Sequence, residues 1–361
     1  MIVYLPIEPL FERYTAQMDI WVRKTFDNMN VDYITIYGER LTDVIETGSV
    51  LDAEGTNYYK FSQLMKICNM IKKGVISDGD IIFFGDSWFP GQEAIPYMAS
   101  LENIKLRIFG INWAGSSDKY DFVNKMGNWV KWIERGWYEF YDTVFVGSRS
   151  LRDSMIREGI TNKVKVTGCP FDSKQVESVL NKRFGIGYEP PKEDNVVFPH
   201  RWDTEKNPMF FLRLIEEIPD AKFIVTTSRK KFVSNDEKLI QAYYRIKDKV
   251  GDKLTLLVGL SKAEYYDILA RSKVFFSSAY QETFGYAMME ALTFQCIPVA
   301  PNRLSYVDYI PNRYRYNTFS EAVDFVKKGL KTNDTIERRE IKRIAEKQNS
   351  NIQKMVEVML S

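Results

Sequence analysis

Apolar positions along the chain alternate between two periods. Residues 1–7 are a short apolar run with the character of a strand. Arg13 to Met29 then carry Met18, Trp21, Val22, Thr25, Phe26 and Met29 at helical spacing. Residues 31–37 alternate and are β-rich. Residues 58–74 predict an amphipathic helix that closes on Lys72, Lys73 and Gly74. The runs 80–85, 105–111 and 142–147 read as strands buried on both faces. Strand–helix–strand alternation of this kind predicts a parallel sheet flanked by helices, an α/β fold.

Gly, Pro and charge gather at 185–195, which reads as a linker. The pattern then restarts. Strands are expected at 196–199, 222–227, 254–258, 273–277 and 297–300, and helices at 207–217, 235–250, 262–271, 284–294 and 319–330. The expected domains are 1–184 and 193–335. A charged helix over 336–361 presents Ile341, Ile344, Ile352, Met355, Val356 and Met359 on one face, which must be buried; its expected place is the first domain.

Composition narrows the chemistry. With 361 residues, 45% apolar and 27% charged, the chain has ordinary globular character and room for two domains. It holds no run of 18 apolar residues, so no membrane-spanning helix is expected. Cys68, Cys169 and Cys296 are odd in number and far apart, which fits a reducing cytoplasm rather than a disulfide framework. His200 is the single histidine, and neither CxxC nor HExxH occurs, so no zinc site is expected. No GxSxG supplies a hydrolase nucleophile. Net charge is +2, which permits an anionic partner without requiring one.

In parallel sheets, ligands bind beyond the carboxyl ends of the strands. Two strand-end loops of the second half stand out. After Lys273–Ser277 comes Ser-Ala-Tyr-Gln-Glu282-Thr283-Phe284-Gly285-Tyr286, with Phe284 and Gly285 expected to open a helix and offer free backbone N–H groups. Glu290 sits two turns on, in an otherwise apolar run. Ionised carboxylates accept hydrogen bonds only, so the pair suits polyhydroxylated ligands. The plain alternative makes Glu282 a helix-start acid and Glu290 a surface residue. After Val196–Phe198 comes Pro-His-Arg201-Trp-Asp-Thr-Glu-Lys206-Asn-Pro. Two fixed cations there can stabilise a leaving diphosphate; the alternative is a solvated charged turn.

Glu-x7-Glu after a strand, Phe-Gly at the helix opening and Cys296-Ile-Pro-Val-Ala300 beyond it resemble the donor signature of retaining GT-B glycosyltransferases of the family-4 type. The resemblance implies two Rossmann-like domains facing across a cleft, with the C-terminal helix returning to the first. It implies Glu282 near the donor sugar, Glu290 on the ribose, and Arg201 and Lys206 on the diphosphate, with no metal or cofactor beyond the nucleoside-diphosphate sugar, such as a UDP-sugar. Thr283, Phe284, Gly285 and Tyr286 join the donor side, as do Ser228 and Arg229 after one strand and Val258, Gly259 and Leu260 after another. The string His-Arg-Trp-Asp…Lys-Asn-Pro is also similar to the tRNA-queuosine mannosyltransferase group.

The first domain is expected to hold the acceptor. Its strand-end loops carry Glu8, then Asp86 and Trp88, then Asn112, Trp113, Ser116 and Asp118. Asn112-Trp113 stands where the family it resembles often has a histidine, a departure from that pattern. Asp86 and Asp118 are candidate catalytic carboxylates, or turn and cap residues. Trp129, Trp132, Trp137 and Tyr59 read as core. Trp88, Trp113 and Tyr58 are candidates to contact an acceptor ring, with Arg13, Lys119, Lys125 and Lys131 available for phosphates. The N-terminal segment, Gly55-Thr-Asn-Tyr58 and Asp86-Ser-Trp-Phe-Pro-Gly91 look like bacteriophage glycosyltransferases that decorate modified pyrimidines. That implies DNA carrying a hydroxymethyl base as acceptor, in a host cytoplasm. The alternatives are tRNA, a small molecule or a glycan, or an inert binder of nucleotide sugars or nucleic acid.

Overall fold

The computed structural model describes residues 1–10, 14–41, 53–227 and 231–361. Two compact units emerge: 1–171 with 350–361, and 172–349.

The first unit runs β1 (Ile2–Leu5), α1 (Tyr14–Asn28), β2 (Tyr33–Thr35), α2 (Ala53–Lys72), β3 (Ile81–Phe84), α3 (Ala94–Leu101), β4 (Arg107–Asn112), α4 (Asn128–Glu139), β5 (Thr143–Val146), α5 (Arg149–Arg157) and β6 (Val164–Val166). All pairings are parallel, in the order β2-β1-β3-β4-β5-β6. Alternate residues divide between the faces, as strand geometry requires. Val3, Leu5, Ile82, Phe84, Ile108, Val144 and Val146 pack with Ile67, Ile95, Tyr138 and Met155 from α2, α3, α4 and α5. On the other face, Tyr4 stacks on Phe83 at 5.5 Å and Phe109 on Phe145 at 6.0 Å, with Phe26 of α1 edge-on to Tyr4 and Phe83.

The second unit runs α6 (Ser173–Phe184), β7 (Glu193–Phe198), α7 (Pro208–Glu217), β8 (Lys222–Thr227), α8 (Glu237–Val250), β9 (Leu254–Val258), α9 (Lys262–Arg271), β10 (Ser272–Phe276), α10 (Tyr286–Thr293), β11 (Ile297–Pro301), α11 (Tyr306–Tyr309), β12 (Arg315–Tyr316), α12 (Phe319–Lys331) and α13 (Thr335–Glu346). Its parallel sheet is ordered β12-β11-β10-β7-β8-β9, so the order reverses between β7 and β10. Phe198, Phe211 and Phe276 form its aromatic centre.

Two expectations change. The Gly/Pro segment after α6 is no inter-domain linker. The change of unit falls at Phe171–Asp172, and residues 185–192 belong to the second unit, where Tyr188 donates to Asp267 at 2.7 Å. The tail is also not one helix on the first unit. Its first half, α13, lies in the second unit. Only α14 (Asn351–Leu360) joins the first, where it lies against α1. Asn351 anchors α14 by donating to the Cys169 carbonyl at 3.0 Å. A Cβ at Gly168, whose φ is +78°, would run into the Asn351 amide, so only glycine fits there.

Candidate functional site

In the second unit the site forms where the sheet order reverses, the ordinary place for a ligand in such a sheet. Loops 199–207 and 277–285 leave the neighbouring strands β7 and β10 and are laced together. The Glu205 carbonyl accepts from the N–H groups of Tyr280 at 2.7 Å and Gln281 at 3.3 Å. Ser278 donates to the carbonyl of Asn207 at 2.9 Å. Across this seam Lys206 Nζ donates to the Gln281 carbonyl at 2.7 Å and lies 3.3 Å from a Glu282 carboxylate oxygen. Arg201 is more exposed and bonds Glu205 at 2.6 Å, with Asp203 at 3.7 Å. His200 is buried between the rings of Phe198 and Phe275, and burial pushes its pKa well below the ordinary 6.5, with Lys206 and Arg201 adding to the effect. It is a neutral core residue.

Gly285 precedes α10 with φ +88°, and a Cβ there would meet the Tyr309 hydroxyl at 2.7 Å. That hydroxyl donates to the Phe284 carbonyl. The helix therefore opens at Tyr286, and Phe284, expected in the helix, is a buried side chain before it. Thr283 and Tyr286 are half-buried. Glu290 is no surface residue. It is buried on α10 and accepts from the Tyr266 hydroxyl at 2.8 Å and from Lys262 at 3.3 Å. Val258 ends β9 half-exposed, and the Gly259 N–H donates to the Thr227 carbonyl at 3.1 Å, with Leu260 beyond. Ser228 and Arg229 lie outside the described residues.

In the first unit the order reverses between β1 and β3. Glu8, after β1, is buried and 3.5 Å from Arg40. Asp86, after β3, accepts from Lys60 at 2.8 Å and from the Trp88 N–H at 3.0 Å. Lys60 is itself buried and also donates to the Trp88 carbonyl. Trp88 and Trp113 are half-buried, each with its indole N–H engaged: Trp88 donates to Glu134 at 2.7 Å and Trp113 to the Gly85 carbonyl at 2.8 Å. Glu134 is buried on α4 and also accepts from the Ser116 N–H at 2.9 Å and the Ser116 hydroxyl. Burial pushes its pKa up. Asp118 accepts from the Tyr120 N–H at 2.9 Å, a turn contact. Asp121 caps the turn at Val123 and is raised to about 6, first by burial and then by Asp118, Asp86 and Glu134. Asn112 is buried and donates to the Tyr138 hydroxyl at 2.7 Å. Tyr58 is exposed, 3.5 Å from Glu39. Arg13 lies outside the described residues.

The aromatic expectation needs correction. Tyr59 and Trp137 are buried, but Trp129 and Trp132 are exposed rather than core. Sequence reasoning also missed Lys60, Glu134, Asp121, Lys262 and Tyr266. Lys262 and Tyr266 carried a signal, four apart on one helix face behind the Ser261–Glu264 capping box. Among the described residues no three His, Cys, Asp or Glu side chains group as metal ligands, and no helix is long and apolar enough to cross a membrane.

Residues 182–347 match the family of glycosyl transferases group 1. Solved structures show the same two-domain α/β architecture, that of GT-B enzymes. Trehalose-6-phosphate synthase aligns over 99% of this chain and 98% of its own, with TM-score 0.68 and 12% identity. Sucrose-phosphate synthase of Thermosynechococcus elongatus aligns over 98% and 94%, with TM-score 0.65 and 12% identity. HepE of Anabaena, solved with UDP and glucose, aligns over 100% and 99%, with TM-score 0.61 and 11% identity. In sequence, the chain is 31% identical over 126 residues to tRNA-queuosine alpha-mannosyltransferase of Drosophila melanogaster. That match spans 34% of this chain and about a third, 32%, of the relative's length.

Proposed function

We propose that the protein is a retaining glycosyltransferase that moves a sugar from a nucleoside-diphosphate sugar to a hydroxyl on a nucleic-acid base. The observation that carries this is the Lys206–Glu282 pairing across the point where the second sheet reverses, with Arg201 on the same loop as Lys206. A fixed cation there matches the charge that develops on a departing diphosphate, and a carboxylate beside it matches sugar hydroxyls. Glu290, held by Tyr266 and Lys262, is assigned to the nucleoside ribose. The two cations carry the charge that a metal carries elsewhere. In the step itself, the bond from the anomeric carbon to the diphosphate breaks. The diphosphate leaves with the electron pair and takes the acceptor's hydroxyl proton, and the acceptor oxygen bonds on the same face.

For the acceptor, the phage-like segments of the first unit favour a hydroxymethylpyrimidine in DNA. The 31% identity to a tRNA-queuosine mannosyltransferase favours a tRNA base as the second reading. The test offers UDP- and GDP-sugars with duplexes carrying cytosine, 5-hydroxymethylcytosine or 5-hydroxymethyluracil, and with queuosine-containing tRNA. The nucleosides are then digested and weighed, with and without EDTA. Added sugar mass on one nucleic acid is the expected result. Mass only on a small glycan overturns the acceptor reading, and loss of transfer in EDTA overturns metal independence.

A further inference from the structure

Helix α4 has apolar residues on two sides and buries only one of them. Its buried stripe is Val130, Glu134, Trp137 and Tyr138, and its solvent stripe is Trp129, Trp132, Ile133 and Gly136. Trp129 is 55% and Trp132 68% exposed, and Met126 in the preceding turn is exposed too. Exposed indoles three positions apart on a helix are neighbours, and such a patch marks a contact surface. The orientation is fixed rather than loose, because Glu134 on the inner stripe is held by the Trp88 N–H and by Ser116.

Most of the charges that reach solvent around this stripe are positive, with Glu139 the exception at the helix end. Lys119 and Lys125 are exposed, and Arg135 lies over the Trp132 ring at 5.0 Å. Lys131 shares its charge with Glu158 at 3.0 Å. Of the segment's carboxylates, Asp121 caps a turn and Glu134 is buried, while Glu139 is exposed at the C-terminal end of α4. Gly136 adds an independent sign. It sits in mid-helix, where glycine weakens a helix, and a Cβ there would meet nothing. The fold has no steric need for glycine at that place, and the absent side chain leaves room beside the indoles for a flat partner.

We infer that the outer face of α4 is a nucleic-acid contact surface, with Trp129 and Trp132 stacking on unpaired bases and Lys119 and Lys125 meeting phosphates. This rests on the proposed nucleic-acid acceptor and locates its docking surface away from Trp88 and Trp113, whose indole N–H groups are engaged. Stacking plus cations is the combination that holds single strands, and a lipid surface or a second copy of the chain is made an outcome of the test.

The test measures anisotropy of a labelled single-stranded DNA 20-mer and of a tRNA transcript across a salt series, with circular dichroism and unfolding midpoints as fold controls. Trp129→Ser and Trp132→Ser should each weaken binding about tenfold. Lys125→Met should lower the salt slope by about one. Gly136→Ala should raise the folded-to-unfolded ratio about fivefold while weakening binding. Unchanged nucleic-acid affinity in the Trp variants, with transfer intact, overturns the inference and leaves the proposed function standing. Transfer to a small glycan by a wild-type protein that binds neither nucleic acid overturns both. Anionic vesicle binding or self-association that disappears in the Trp variants, without any loss of nucleic-acid affinity, also overturns the inference.

Discussion

Lys192 is a half-buried residue whose ammonium, among the described residues, has no carboxylate hydrogen-bond partner. Its ammonium donates to three main-chain carbonyls, Leu269 at 3.3 Å, Ser272 at 2.8 Å and Phe294 at 2.6 Å. Leu269 is in the last turn of α9 and Phe294 follows α10, the helices that carry Lys262, Tyr266 and Glu290. Lys192 therefore ties together the far ends of the two helices that carry the proposed ribose contacts. Burial, with Arg338 adding a like charge, brings its pKa down from the ordinary 10.5 to about 8. The gap between those values corresponds to about 3 kcal/mol. The sign follows from proton counting. Between pH 8 and 10.5 the unfolded chain holds a proton on Lys192 that the folded chain has released, so stability rises with pH across that window. Below pH 8 both states are protonated and the full burial penalty is present.

Other groups titrate in the same range, so the difference between two proteins is what should be read. Urea unfolding of the wild type and of Lys192→Met at pH 7.5 and pH 10.5 isolates the contribution of this one ammonium. The wild type should gain up to about 3 kcal/mol relative to the variant over that interval. If the two proteins change in parallel with pH, Lys192 is protonated throughout in the folded state. The three carbonyls would then outweigh burial, and the reasoning fails.

Three further outcomes follow from the site and its surroundings. Lys206→Met should lower donor turnover by about 10²–10³ with a smaller change in KM, as for loss of one preorganised donor; turnover within threefold of wild type would move the diphosphate elsewhere. His200 stays neutral when buried, so stability should fall by about 1.4 kcal/mol per pH unit below 6.5 until the native imidazole protonates. A His200→Phe variant should lack that slope in acid-unfolding curves. Asp121, raised to about 6, is ionised at a cost at neutral pH. Asp121→Asn keeps the turn cap and should stabilise by about 1–3 kcal/mol at pH 7, a gain that vanishes below pH 4; equal stability at pH 7 would show the charge is already well solvated.

Much of the fold is legible because parallel strands buried on both faces are continuous apolar runs, as at Ile81–Phe84 and Val196–Phe198. The loops after them can then be searched, and Arg201, Lys206 and Glu282 fall where strand order predicts a ligand. What stays hidden depends on pairings that only the folded sheets create. Lys60 meets Asp86 across 26 positions, and Trp88 meets Glu134 across 46. Neither spacing has a local period. The segment 185–195 misleads for a related reason: Gly and Pro report a turn, and nothing in a turn says whether the chain beyond it rejoins the same core.

Helix α4 shows why an aromatic count misleads. Its sequence carries two apolar stripes, Val130–Trp137–Tyr138 and Trp129–Trp132–Ile133, on different sides of one helix. Burying Trp129 and Trp132 would gain about 2–3 kcal/mol for each large side chain, but exposing Trp137 and Tyr138 would lose a similar amount, so area alone separates the two stripes little. The first stripe contains Glu134, and hydrophobic periodicity therefore argues against burying it. The partners of that carboxylate decide between the stripes. Inside, Glu134 accepts from the Trp88 indole and from the amide and hydroxyl of Ser116, and a carboxylate so bonded no longer carries the heavy penalty of an unpaired buried charge. Turning the helix over would leave the Trp88 N–H and the Ser116 amide without their acceptor. The tryptophans are therefore exposed because a carboxylate elsewhere in the same helix is committed, which makes their exposure a fixed property of the surface that a partner can use.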